Sequence, residues 1–155
     1  VGKGRAATRK AFSSANMIDL YVLQKASDTQ LQRATTAFKI SLLEATEDKK
    51  MITDEVTVVD GLIRTLDLVT TIRVDTAKKQ KEEDIKLAVR DIILDYFSVD
   101  KRSFGQELIL ADLNREIFIL DDVRYSTIDN LDENVNVDFN EIIQLNNLVI
   151  NIELV

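Results

Sequence analysis

Asp132, Asn134 and Asn136 stand at alternate positions, the spacing at which the first ligands of an EF-hand loop meet calcium. The rest of that loop is missing. Val137 occupies the sixth position, where a glycine makes the sharp turn, and Ile143 the twelfth, where a bidentate Glu closes the shell. The segment reads as a hydrated turn. Gly2-Lys3-Gly4 lacks the GxxxxGK[ST] spacing that wraps amides around phosphate, and no strand is expected before it. The chain contains no histidine and no cysteine. That removes the commonest general base near neutral pH, the usual zinc ligand and the thiolate nucleophile. Carboxylates, lysines and hydroxyls remain for acid-base chemistry of the glycosidase or Ser-Lys type, with no motif behind them. The expectation is therefore no catalytic residue, no metal and no cofactor, and no hydrolase, nucleotide-binding or divalent-metal activity.

At 155 residues and 45% apolar composition, the chain can form one ordinary domain or two small ones. As one domain it would bury roughly 70% of the surface that its unfolded form exposes. No stretch approaches the ~20 apolar residues of a membrane span, and the first residues lack the apolar core of a secretory signal. The absence of cysteine fits a reducing cytosol. Charge is uneven within the net -7: Lys3, Arg5, Arg9 and Lys10 make the start basic, while after Arg124 there are acids but no Lys or Arg. This describes a solvated arm and an acidic surface, or ends that meet complementary patches on neighbouring subunits. The start at Val1 rather than Met is read as a fragment of a longer protein.

Residues 1–15 carry little apolar periodicity and read as a basic arm or linker remnant. Ile18, Leu20 and Val22 alternate along a first strand. Ser27-Asp28-Thr29-Gln30 matches a capping box, predicting a helix to about Lys49 with Leu31, Ala34, Phe38, Leu42 and Ala45 on its apolar stripe. Val56 and Val58 mark a second strand, and Leu66, Leu68, Thr70, Ile72 and Val74 a third. Asp60-Gly61 between them predicts a hairpin turn. A second helix follows from about Ala77 to Phe97, burying Ile85, Ala88, Val89, Ile92 and Tyr96.

The order β-α-β-β-α predicts an α+β fold, a ferredoxin-like split βαβ sandwich over 16–103. One mostly antiparallel sheet would carry Leu31, Phe38, Leu42, Ile85, Val89 and Ile92 against one face. Residues 104–155, continuous with it after the turn at Ser98 to Gly105, would add a short helix over Leu110 to Leu120. Strands are expected at Val123 to Ile128, Val135 to Phe139 and Leu148 to Leu154. A sandwich with a basic arm also admits an RRM-like nucleic-acid-binding module, but Leu66, Leu68, Val69 and Ile72 stand where such a sheet displays stacking aromatics. A stand-alone enzyme domain is the other alternative.

The segment from Phe104-Gly105 through Asp121-Asp122-Val123 places an aromatic-glycine turn before a short helix and a valine-centred strand. Glu141-Ile142-Ile143-Gln144-Leu145-Asn146-Asn147 leads into the last strand, and Ala15 to Leu23 forms a strand leading into a capped helix. In order and pattern these resemble the C-terminal part of baseplate J-like wedge proteins of contractile-tailed bacteriophages, closest to the T-even-like myophage branch. Ile143 stands where proline is common in that family, and Asp121-Asp122 where many members have proline and glycine. The resemblance implies a structural role in the inner ring of the baseplate, in a virion assembled in the host cytoplasm, and brings no catalytic residues.

The resemblance implies other wedge proteins as partners, and the sequence adds the expectation of a homo-oligomer, a dimer, with no nucleic acid and no membrane. The last strand is long, is apolar on both faces at Val149 and Val155, and lacks the lysines and prolines that protect a sheet edge. It is the expected interface between like chains, with Leu148, Val149, Ile150, Asn151 and Ile152 as its residues. The alternative places it inside the sheet, its second face covered by the short helix.

Overall fold

The computed structural model describes residues 2–9 and 16–155. Two strands open the chain, β1 (Lys3–Arg9) and β2 (Asn16–Lys25). A short β3 (Leu31–Gln32), α1 (Thr36–Glu47) and β4 (Asp54–Asp60) follow. The long β5 (Leu62–Val74) leads through a 3-10 turn (Thr76–Lys81) into α2 (Glu82–Tyr96). Then come α3 (Leu110–Ile117), β6 (Val123–Ile128) and β7 (Glu141–Leu154). The fold is α+β, as expected.

The strands divide into two sheets. In the first, β2 lies between antiparallel β1 and parallel β4, with β3 paired to the end of β2. In the second the order is β6-β5-β7, with β7 parallel to β5. The helices expected on one face of one sheet are thus shared out: α1 packs on β4, α2 on β7 and α3 on β6.

The hairpin expected at Asp60-Gly61 does not form. A two-residue hairpin needs left-handed backbone, and among the described residues Gly105, with φ 69°, is the glycine that adopts it. At Gly61 the chain instead passes from one sheet to the other. The Gly61 amide donates to the Val22 carbonyl at 3.0 Å, and the Leu62 amide to Asn140 at 2.9 Å. Glycine is needed there for space, since a Cβ would stand 2.5 Å from the Phe104 ring.

Several other expectations are corrected. Lys3–Arg9 of the supposed arm is a strand, made so by full pairing with β2, whereas 10–15 lie outside the described residues. Ser27 does not cap a helix: its amide donates to the Gln30 carbonyl in a turn that folds Leu31–Gln32 back onto β2. Thr35 is the cap, its side chain accepting from the Phe38 amide at 3.2 Å. Ala45 is consequently exposed, and Phe38 and Leu42 are half-buried. On α2 the buried residues are Ile85, Val89 and Ile93, with Ala88, Ile92 and Tyr96 at the margin. Val135 to Phe139 is no strand, because Val135 bridges Leu108 alone and the Asp138 carbonyl accepts from Glu141 in a turn. The final strand gains those residues' successors and begins at Glu141.

The main core lies between the second sheet and its helices, where Leu68, Ile72, Val89, Ile93, Leu113 and Ile117 are fully enclosed. A smaller cluster of Leu23, Leu31, Val99, Phe104 and Ile142 joins the two sheets.

Candidate functional site

The residues expected at an interface fall together on β7. Strand alternation sends Leu148, Ile150 and Ile152 toward α2, leaving Val149 and Asn151 on the open face. Ile150 is 7% exposed and Val149 41%.

Their placement depends on a bulge. Leu66 pairs with Leu145 but Asp67 with Asn147, so Asn146 is the extra residue, its side-chain Nδ2 donating to Asp67 Oδ1 at 2.8 Å. One inserted residue reverses which parity faces the core. Ile143 and Leu145 point into it before the bulge, and Ile150 after it.

Because β5 occupies one side of β7, the strand is at the edge of its sheet, and not inside it. The Val155 amide donates to the Val74 carbonyl, and the Val155 carbonyl accepts from Thr76. Odd-numbered residues of this stretch therefore turn their peptide groups toward β5. Leu148, Ile150, Ile152 and Leu154 turn theirs outward. Among the described residues, no backbone partner outside the strand ladders meets those four. The lower part of the edge is occupied, since Gln144 Oε1 accepts from the Leu31 amide at 2.7 Å and the Glu141 carbonyl accepts from Gly105.

The open face beside this edge is polar and internally paired. Arg73 Nε donates to Glu153 at 2.9 Å and its guanidinium lies 5.4 Å from the Tyr125 ring centroid. Asp129 accepts from both Thr71 and Thr127. This face is built to meet water, whereas the edge presents unpaired peptide groups flanked by aliphatic side chains.

The other candidate residues serve the fold. Asn134 Oδ1 accepts from the Leu110 amide at 3.0 Å and so caps α3 from a distant loop, and the Asn136 carbonyl accepts from Arg64. Lys3 of the glycine cluster donates to the Asp100 carbonyl at 3.3 Å.

Arg102 escaped the reading of the sequence. It is 2% exposed and lines a cleft of about 320 Å³ with Ile92, Tyr96, Lys101 and Glu116. Its Nη2 donates to the Gln106 carbonyl at 2.9 Å and to Glu107 at 3.2 Å. The guanidinium lies 5.7 Å from the Tyr96 centroid and 5.9 Å from that of Phe97. Burial pushes the Arg102 pKa down and that of Tyr96 up. With Nη2 donating to its own turn and the guanidinium set against Tyr96 and Phe97, Arg102 fastens residues 102–107 to the end of α2, while its buried Nε has no hydrogen-bond partner. Nothing in the charged run Asp100-Lys101-Arg102 separates it from a solvated arginine by sequence. No helix is long and apolar enough to cross a membrane among the described residues.

No family model matches the chain, and no curated protein matches it.

Proposed function

We propose that this chain is a structural module of a contractile-tail baseplate, of the J-like wedge type that its sequence resembles. It joins a second copy of itself and other wedge proteins through surfaces, without catalysis, cofactor, nucleic acid or membrane. The observation that carries the reading is the position of β7. The segment bearing much of the resemblance holds an open sheet edge whose outward peptide groups belong to Leu148, Ile150, Ile152 and Leu154. The absence of histidine and cysteine agrees with work done by contact. The ferredoxin-like part of the reading has in its favour a helix crossing between the parallel strands β2 and β4, and its departures are that these strands pair directly, with no strand between them, and that the strands divide into two sheets.

In this reading the protein resides in the virion, at the baseplate, after assembly in the host cytoplasm. A gold-labelled antibody against the chain should decorate the baseplate end of contractile tails produced from the genome that encodes it. Label confined to capsids, or absent from purified particles, overturns the assignment.

A further inference from the structure

We propose that two copies join edge to edge through β7, antiparallel about a two-fold axis at Asn151, so that their second sheets become one continuous sheet. This rests on the like-with-like reading above and specifies its geometry. Four features carry it.

First, the stretch from Asn147 to Leu154 has no lysine, no proline and no bulge to blunt the edge, the one irregularity lying before it at Asn146, and its single charge, Glu153, is paired with Arg73 on the neighbouring strand. Second, the outward peptide groups belong to residues 148, 150, 152 and 154, which are symmetric about 151. A two-fold pairing brings strands together antiparallel. Centring it on Asn151 sets Leu148 opposite Leu154 and Ile150 opposite Ile152, and uses all four residues in about eight interchain hydrogen bonds. A centre one residue earlier would set Leu154 against the bulged Asn146.

Third, the side chains agree with that register. On the helix-covered face the facing pairs are aliphatic with aliphatic. On the open face Asn151 meets its own copy, amide to amide, and half-exposed Val149 meets Glu153. A centre at residue 153 would oppose two carboxylates. Fourth, no Lys or Arg follows Arg124, so nothing cationic on the edge strand itself competes for the seam.

The chain has no cysteine, which makes single-cysteine variants a clean test. In the proposed register Asn151 forms a non-hydrogen-bonded pair, with Cα atoms roughly 4.5 Å apart, within disulfide reach. Asn151→Cys, Val149→Cys and Glu153→Cys are oxidised in parallel with copper phenanthroline, and their association is measured by sedimentation before oxidation. The expected result is a dimer in all three, with Asn151→Cys linking about tenfold faster than the others. Fastest linkage at 149 or 153 overturns the register and leaves edge pairing standing. A dimer that links at none of the three overturns edge pairing, but not association of like chains. Monomers that link at none overturn both. Asn151→Ser, which keeps a small polar side chain, controls for damage to the strand and should sediment as the unsubstituted chain does.

Discussion

The two sheets are built on a similar plan, strands with a helix against one face, and differ in how much that helix encloses. On the first sheet, α1 buries no residue completely: Phe38, Leu42 and Thr46 are half-buried, and Ile40 on its far side is exposed. Between residues 3 and 60, the buried apolar side chains among the described residues are Val22, Leu23, Leu31 and Ala34. On the second sheet, α2 supplies Ile85, Val89 and Ile93, and α3 supplies Leu113 and Ile117, to one continuous core. A helix contributes stability chiefly through the apolar face that it buries. The second sheet with its helices is therefore the foundation. The first is held by its strand ladder and by the joint at Leu23, Leu31, Phe104 and Ile142.

The sharpest way to break this comparison is a pair of truncations. Phe97→Ala, at a fully buried position, should cost about 3–5 kcal/mol, and Leu42→Ala on α1 about 1 kcal/mol, both from urea unfolding. Equal losses would mean that the first sheet is packed as well as the second. The joint comes next. Gly61→Ala drives a Cβ into the Phe104 ring and should cost about 1–3 kcal/mol, and Phe104→Leu in the same chain should recover part of it. No recovery would place the strain elsewhere.

A smaller effect tests which residue starts α1. Thr35→Ala should cost about 1 kcal/mol, while Ser27→Ala should stay within about 0.5 kcal/mol, because Thr35 accepts from Phe38 and the Ser27 turn is held by its backbone. The mildest prediction concerns acid. The Ala77 amide, then Arg124, hold the Asp75 carboxyl below its ordinary 3.8, and a hydrogen bond from Lys78 does the same for Asp122. A lowered folded pKa contributes stability that is present above the ordinary value and is lost as pH falls through the lowered one. Both groups are partly open to solvent, so the effect is modest. Asp75→Asn should flatten the fall of the urea midpoint below about pH 4, and an unchanged acid limb would remove Asp75 from its cause.

Local pattern alone determined a good deal here. Period-2 alternation located β2, β5 and the end of β7, and the helical stripe around Ile85 and Val89 located α2, because each of these segments buries one side and shows it in the order of its residues. The choice of Leu148 to Ile152 as an edge came from missing lysine and proline, which a sequence displays directly.

Partnership between segments was decided only in three dimensions. Asp60-Gly61 has the composition of a hairpin turn, yet glycine stands there because Phe104, distant in sequence, fills the space of a side chain. Ser27 to Gln30 has the residues of a capping box, yet Leu31 is drawn into the joint beside Ile142 before a helix can begin. Ile143 and Leu145 and the later Ile150 lie on opposite parities, so no single alternation runs through them. The bulge at Asn146, fixed by Asp67 on the neighbouring strand, makes them one strand with one buried side. Alternation and propensity act within a few residues, and the sequence carried them. Sheet membership, the bulge and the burial of Arg102 depend on which distant segment occupies the adjoining space, and only the packed chain specifies that.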